Sequence, residues 1–390
     1  MFPSTAIFKK VGWTPLVGYS VLAVLGLYLL LRHVLPITAP HLTRPVCTGA
    51  VVAAFVLLSL ALHVVSPVLV REHGFQLLGI QFGVSDSNDA YVAAWRAMMA
   101  GDYPYYGRTF LGQPLSPMPG TLLMALPLYR LNGTAYQNIL WLFVFWIALV
   151  RYTSDSRVAS LLVLTVLAAC PDLPYTIVQA TDHASNGLCV LLGALGMLCA
   201  IQARRAAAWS LGAAAFLGLA LSSRANFLLL LVPILFLGVL RHTDVRTAVR
   251  HLGVCLGVSA AVTAPFLLYD PAHFSPLHTA EKLMVSGRYP FAAEAVLASG
   301  LLLGTALGLR QERGVSLETV AARCFLVQLF AVLSGLLLAS LAIGQPDLGY
   351  PHFGLMAMFF GVFASGPRLF RLALTPGAEV PPRRCERPAR

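Results

Sequence analysis

Two aspartates three positions apart, Asp86 and Asp89, head the segment Ser85-Asp86-Ser87-Asn88-Asp89-Ala90-Tyr91, which runs on through Trp95 to Gly101-Asp102-Tyr103-Pro104-Tyr105. Their surroundings draw attention to them, because the segment is a hydrophilic interruption between long apolar runs. A carboxylate there can take the proton of an attacking hydroxyl as a general base. The same two groups could hold a divalent cation, since carboxylates are hard ligands, but no third acid stands at a matching spacing. The plainer reading makes Ser85 or Asp86 a helix N-cap and Asp89 an acid complementing the helix dipole.

The elements around the pair follow from spacing. Tyr91, Ala94, Trp95, Met98 and Met99 recur at helical intervals between Asp89 and Ala100, with Arg96 opposite. This pattern predicts an amphipathic helix lying along a membrane surface, with Asp86 and Asp89 near one face of its N-terminus. Gly101-Asp102 ends it. Tyr103-Pro104-Tyr105 then begins an extended stretch, because the residue before a proline is pushed out of the helical region.

Composition says what those elements are set in. Hydrophobic residues make up 58% of the 390, charged residues only 11%, and mean hydropathy is +0.76, far outside the soluble range. The sequence predicts an all-α polytopic membrane protein with about eleven spans, at 14–31, 46–70, 134–150, 157–171, 184–203, 207–222, 224–240, 251–269, 291–309, 322–343 and 350–366. The run Pro119–Leu131 is short and broken by Pro127, so it reads as a re-entrant or interfacial helix. Residues 1–374 then form one membrane domain with an outward loop at 71–133, and the Pro- and Arg-rich tail 375–390 is a disordered cytoplasmic extension.

A net charge of +11 in a soluble chain would suggest nucleic acid, but here the arginines sit in short loops between apolar runs, where they orient the chain. Loops holding Arg151 and Arg157, Arg204 and Arg205, Arg241 to Arg250, Arg310 to Arg323 and the tail after Arg368 are expected on the cytoplasmic side. The acids of 71–133, 171–183, 270–290 and 344–350 then face outward. Lys9 and Lys10 conflict with this arrangement; a full crossing by 119–131 would accommodate them and turn 71–117 inward. The seven cysteines lie mostly in apolar runs and read as small buried hydrophobes, with neither a disulfide framework nor zinc spacing. Glycines of the run Gly212–Gly218 read as close helix packing. No GxxxxGK[ST] phosphate loop occurs, which argues against an ATP-driven transporter.

The pattern Asp86-x-x-Asp89-Ala-Tyr91-x-x-Ala-Trp-x-Ala-Met-Met-Ala-Gly101-Asp-Tyr-Pro104-Tyr105, followed by Ser116-Pro117-Met118-Pro119 and an apolar stretch ending Leu126-Pro127-Leu128, resembles the first outward loop of GT-C superfamily glycosyltransferases. It is most similar to bacterial polyprenyl-phosphate-sugar-dependent, mannosyltransferase-like members. The motif covers about residues 84–130, and the many-span layout extends the likeness over most of the chain. The resemblance implies a plasma-membrane enzyme with its site on the extracytoplasmic side, and Asp86 or Asp89 as general base. It implies a polyprenyl phosphate sugar as donor, an envelope lipid or glycan as acceptor, a single inverting displacement and no cofactor. The sugar and the choice of aspartate stay open.

Such chemistry needs cations for the departing phosphate. Arg224, in Ser222-Ser223-Arg224 between two apolar runs, is one candidate, because a charge there is costly. His273, His278, Lys282 and Arg288 are others, although Lys282 and Arg288 also suit headgroup anchoring. His352, at the start of the last span, completes the set. Tyr91 and Tyr105 in the motif, with Gln179 and Asp182 in the 171–183 loop, are candidate contacts to acceptor or sugar, and ordinary loop polarity explains the latter two equally well. A non-enzymatic carrier or flippase of lipid-linked sugars is the competing reading. It would be expected to place ionisable groups inside the membrane, at broken helices.

Overall fold

The computed structural model describes residues 13–71, 75–77, 80–82, 85–131, 133–203, 205–277, 292–311, 315–344 and 354–375. Helices dominate, as the composition requires. They are α1 Trp13–Leu29, which runs through a π turn Leu30–Val34 into α2 Leu35–Thr38, then α3 Arg44–Arg71, α4 Ser87–Ala100, α5 Pro119–Arg130, α6 Gln137–Thr153, α7 Ser156–Ala169 and α8 Asp172–Val178. There follow α9 His183–Gln202, α10 Ala207–Leu221, α11 Ala225–Leu240, α12 Val245–Tyr269, α13 Ala292–Leu309, α14 Leu317–Ile343 and α15 Gly354–Leu374. One short exception to the all-α expectation is an antiparallel ribbon, β1 Phe75–Leu77 with β2 Ile80–Phe82, in which Phe75 faces Phe82 across the register.

Each of the eleven apolar runs forms a helix, yet among the described residues seven helices are long and apolar enough to cross a membrane, or eight if the bent pair α7 and α8 counts as one span. The expected count of about eleven is not reached among the described residues. Segments Ala207–Leu221, Ala225–Leu240 and Glu294–Leu309 are shorter apolar helices of 10–17 residues. At 1.5 Å per residue they reach roughly 25 Å at most, short of the ~30 Å hydrocarbon layer.

The described residues divide into two compact units. The first is drawn from Met1–Ser85, Ala135–Ser185 and Asp347–Pro381, the second from Asp86–Thr134, Asn186–Pro346 and Pro382–Arg390.

In the first unit, α7 packs against α3, α6 and α15. Phe145 of α6 meets Phe359 of α15 at 5.6 Å between ring centroids, and Trp146 Nε1 donates to Ser160 Oγ at 3.1 Å. A Cβ at Gly366 would lie 2.6 Å from Leu162 Cδ1, so α15 and α7 approach closely there. Much of α3 faces outward with apolar side chains, among them Leu57 at 65% and Val64 at 63% exposure, as suits a lipid-facing helix. The two ends of this unit differ in charge. At one end Asp155 binds Arg157 at 3.0 Å and approaches Arg44 at 3.9 Å, while Arg371 Nη2 donates to the Thr153 carbonyl. At the other, Tyr19 near the start of α1 donates to the Ala169 carbonyl at 2.9 Å, and the Tyr136 hydroxyl, just before α6, lies 3.5 Å from Nδ1 of His63 on α3. The chain leaves the first unit after α3 and returns to it before α6. Lys9 and Lys10 lie outside the described residues.

In the second unit, two tightly apposed helix pairs are set by glycine. On α13, Gly300, Gly304 and Gly308 stand four apart and face Leu230, Ile234 and Leu237 of α11, so that a Cβ at Gly300 would come within 2.5 Å of Leu230 Cδ2. On α10, Gly218 meets the backbone of Cys255 on α12, and its carbonyl accepts from Ser259 Oγ at 2.5 Å. One end of this unit collects arginines, with Arg241 Nη2 donating to the Leu309 carbonyl and Arg323 Nη2 to that of Arg310. Asp270 follows the other end of α12, while Asp86 and Asp89 stand at the start of α4.

Candidate functional site

Helix α4 starts and stops where its residues dictate. Asp86 holds the N-cap position with its carbonyl accepting from Ala90 N at 2.9 Å, but its carboxylate makes no capping bond. Gly101 ends the helix in the left-handed region at φ 83°, where only glycine is free of strain, and Asp102 N closes back on the Ala97 carbonyl at 2.9 Å. Ala90, Tyr91, Ala94 and Trp95 form the buried face and Arg96 is exposed, as the spacing predicts. That face does not lie on lipid, however. Trp95 Nε1 donates to the Leu122 carbonyl at 3.0 Å and the Tyr91 hydroxyl pairs with Thr121 Oγ1 at 2.7 Å, so α4 packs on α5.

The two carboxylates hold a loop. Thr109 Oγ1 donates to Asp86 Oδ2 at 2.5 Å, and the backbone N–H of Phe110 donates to Asp89 Oδ2 at 2.7 Å. Their target is a small hairpin bridged between Arg108 and Pro114, closed by Thr109 N to the Gln113 carbonyl and turned at Gly112, φ 73°. Both aspartates are half-buried, and neither Oδ1 has a hydrogen bond among the described residues. Each carboxylate is thus oriented through one oxygen. Thr109 and Phe110 were not legible as partners, since they follow the aspartates by some twenty residues with no periodic signal joining them.

The aromatic run after α4 is a set of tethers. Tyr105, a candidate sugar contact, is buried, donates to the Pro117 carbonyl at 3.0 Å and packs edge-on against Phe274 and Phe266. Burial pushes its phenol well above the ordinary value. Tyr91, the other tyrosine candidate, has no exposed surface. Both rings belong to the buried core around α4. The physical reason is that aromatic rings at helical or turn spacing bury more surface in a core than on a wall. Tyr103 donates to the Phe266 carbonyl at 2.8 Å, and burial, with the Asp270 charge second, pushes its phenol up to about 12. Tyr106 donates to Asp270 Oδ2 at 2.9 Å; the same oxygen lies 2.8 Å from His273 Nδ1. Partial desolvation works to raise the Asp270 carboxyl, but the bonds from Tyr106 and His273 outweigh it and hold the group below the usual carboxylate range.

Arg224 caps the start of α11, half-buried, beside the buried Ser222 and Ser223. The first turn of α5 rests on this corner. A Cβ at Gly120 would collide with Ser222 Oγ and the Leu219 carbonyl, and Thr121 Oγ1 also donates to Asn186 Oδ1 at 2.9 Å. Helix α5 is thus the element on which the aspartate helix and the Arg224 corner are both mounted. His278, Lys282, Arg288 and His352 lie outside the described residues, and among the described residues no three His, Cys, Asp or Glu side chains gather to hold a metal ion.

Gln179 and Asp182 lie in the first unit, Gln179 half-buried and Asp182 buried. Helices α7 and α8 meet at 84°, and the chain after α8 turns through Ala180 in the left-handed region. Asp172 is fully buried and Asp182 is 1% exposed, with His183 Nδ1 3.4 Å from Asp182 Oδ1. Gln179 Nε2 donates to the Tyr175 hydroxyl at 2.9 Å. Asn138, also fully buried, donates to the Thr181 carbonyl and accepts from Ser185 N at 2.9 Å. Irregular backbone at this depth requires such partners, because an unpaired buried peptide group is costly. Replacing Asn138 by leucine strands both groups and is expected to cost about 1–3 kcal/mol for each, measured as a lowered unfolding midpoint of the purified protein.

Comparison with protein-family models, with curated proteins and with solved structures finds no match for this chain.

Proposed function

We propose that the protein is an integral membrane glycosyltransferase of the GT-C kind, moving a mannose or other hexose or pentose from a polyprenyl phosphate to an envelope lipid or glycan on the extracytoplasmic side of the plasma membrane. The observation that carries this reading is the state of Asp86 and Asp89: two half-buried carboxylates, each fixed through Oδ2 and with no hydrogen bond at Oδ1 among the described residues, on a frame of buried aromatics. A carboxylate fixed through one oxygen suits a general base. The acceptor hydroxyl gives its proton to Oδ1 of one aspartate as its oxygen bonds to the anomeric carbon. The bond from that carbon to the phosphate oxygen breaks, its electron pair leaving with the polyprenyl phosphate. Arg224, with His278, Lys282, Arg288 and His352, supplies the candidate cations for that phosphate. No nucleotide and no covalent enzyme intermediate takes part.

One observation favours the carrier reading. Asp172 and Asp182 are buried beside a helix break in an apolar chain, the placement expected of groups on a transport path. A single comparison separates the two. In a deletion strain, glycan and glycolipid mass spectrometry should reveal the loss of one sugar, and purified protein with a polyprenyl phosphate sugar should form the glycosylated acceptor in detergent, where no transport is measurable. Loss of the sugar in cells without transfer in detergent is the carrier's signature.

A further inference from the structure

Around the end of α12 lies a group of side chains that the proton-transfer step does not use. Tyr269 closes the helix, Asp270 follows it, and His273 stands three residues on; Tyr103 and Tyr106 reach them from the stretch after α4. Tyr103 stacks on Tyr269 with ring centroids 5.0 Å apart and planes at 28°, Tyr106 meets Tyr103 edge-on at 5.0 Å, and His273 meets Tyr106 at 5.2 Å. The inner ring, Tyr103, is 8% exposed, whereas Tyr106 is 55% and Tyr269 70% exposed.

A belt of tyrosines at a lipid headgroup layer is the ordinary explanation for exposed rings at a helix end. It does not account for the hydroxyls. In a belt they point to water and headgroups, but here Tyr103 gives its proton to the Phe266 carbonyl at 2.8 Å and Tyr106 gives its own to Asp270 Oδ2 at 2.9 Å. Asp270 also accepts from the His273 backbone N–H at 3.2 Å and pairs with Nδ1 of the same residue at 2.8 Å. These bonds fix Tyr103 and Tyr106 before anything binds, Tyr269 is held by its stacking on Tyr103, and with Nδ1 donating to Asp270 the neutral imidazole has its Nε2 available as an acceptor. Fixed aromatic faces beside a hydrogen-bonding nitrogen match a pyranose or furanose ring, which offers an apolar C–H face and hydroxyls along its edge. Pre-organisation lowers the entropy that such a weak ligand would otherwise lose.

We infer that Tyr106, Tyr269 and the Asp270–His273 pair form a carbohydrate subsite, with a sugar ring lying on the exposed tyrosine faces and a hydroxyl donating to His273 Nε2. Resting on the glycosyltransferase reading, this makes the acceptor a molecule that already carries a sugar. Asp86 and Asp89 hold the hairpin between Tyr106 and Leu115, and Ser275 Oγ donates to the Leu115 carbonyl at 2.5 Å, so the carboxylates and the platform share one loop.

The test is saturation-transfer NMR on the full chain in phosphatidylglycerol nanodiscs, with methyl α-mannoside, mannobiose, maltose and cellobiose as probes. Saturation should reach the ring protons of at least one probe. Binding should weaken roughly 2- to 10-fold in Tyr269→Ala, survive in Tyr269→Phe, and weaken in His273→Ala, all three variants keeping the wild-type unfolding midpoint. Saturation of no probe, or equal saturation in wild type and Tyr269→Ala, overturns the subsite and leaves the rings as a lipid belt. Failure of the transferase reading is detected separately, as an unchanged sugar inventory in the deletion strain.

Discussion

Sugar transfer by an Asp86→Asn or Asp89→Asn protein, at matched membrane abundance, is expected to fall by about 10²- to 10⁴-fold for whichever aspartate takes the proton. The amide cannot accept that proton, yet its carbonyl oxygen still receives Thr109 Oγ1 or Phe110 N–H, so the hairpin keeps its place. The other substitution, which removes charge from a carboxylate that only positions the loop, should cost far less. Initial rates with a polyprenyl phosphate sugar, paired with the glycan profile of the complemented deletion strain, distinguish the two. Alanine at the same positions is the informative contrast, because it removes the loop contact as well: the positioning aspartate should tolerate asparagine and fail with alanine. Full rescue by both asparagine variants would remove the proposed role of the pair.

The second large effect is expected at Gly218. A side chain there enters the backbone of Cys255, with the new Cβ 2.9 Å from its carbonyl carbon and nearer still to its oxygen. Backbone cannot turn aside as a flexible side chain can, so Gly218→Val must push α10 from α12 and break the Ser259 bond to the Gly218 carbonyl. Overpacking of this kind costs about 1–3 kcal/mol where the surroundings can yield, and more where they cannot. The expected result is a sharp loss of folded protein in fluorescence-detected size-exclusion chromatography. Gly212→Val, in the same helix, is the control: nothing lies within 4 Å of its added Cβ, and it should express like wild type. The two glycines look alike in the sequence; only one faces another helix.

That contrast marks what could be read in advance. Composition and hydropathy determine that the chain belongs in a bilayer, and each apolar run does form a helix, because a backbone surrounded by hydrocarbon must satisfy its own polar groups. The amphipathic face of α4 was legible from Tyr91, Ala94 and Trp95, and its end from Gly101, since local spacing and a left-handed glycine act within one or two turns. The number of long spans was not. Helices α10, α11 and α13 are apolar but short, and each ends at a polar stretch, beginning at Ser222, Arg241 and Arg310.

The site divides along the same line. Residue types alone determined that Asp86 and Asp89 are the carboxylates to examine. Only the tertiary structure decided that Thr109 and Phe110 hold one oxygen of each, that Tyr91 and Tyr105 are core, and that Asp172 and Asp182 are buried. It alone joined Tyr106 to Asp270 across 164 positions. The physical reason is the reach of each force. Propensity, capping and periodicity act over a few residues and are written in order along the chain, whereas burial and hydrogen-bond partnership depend on which distant segments close packing brings together.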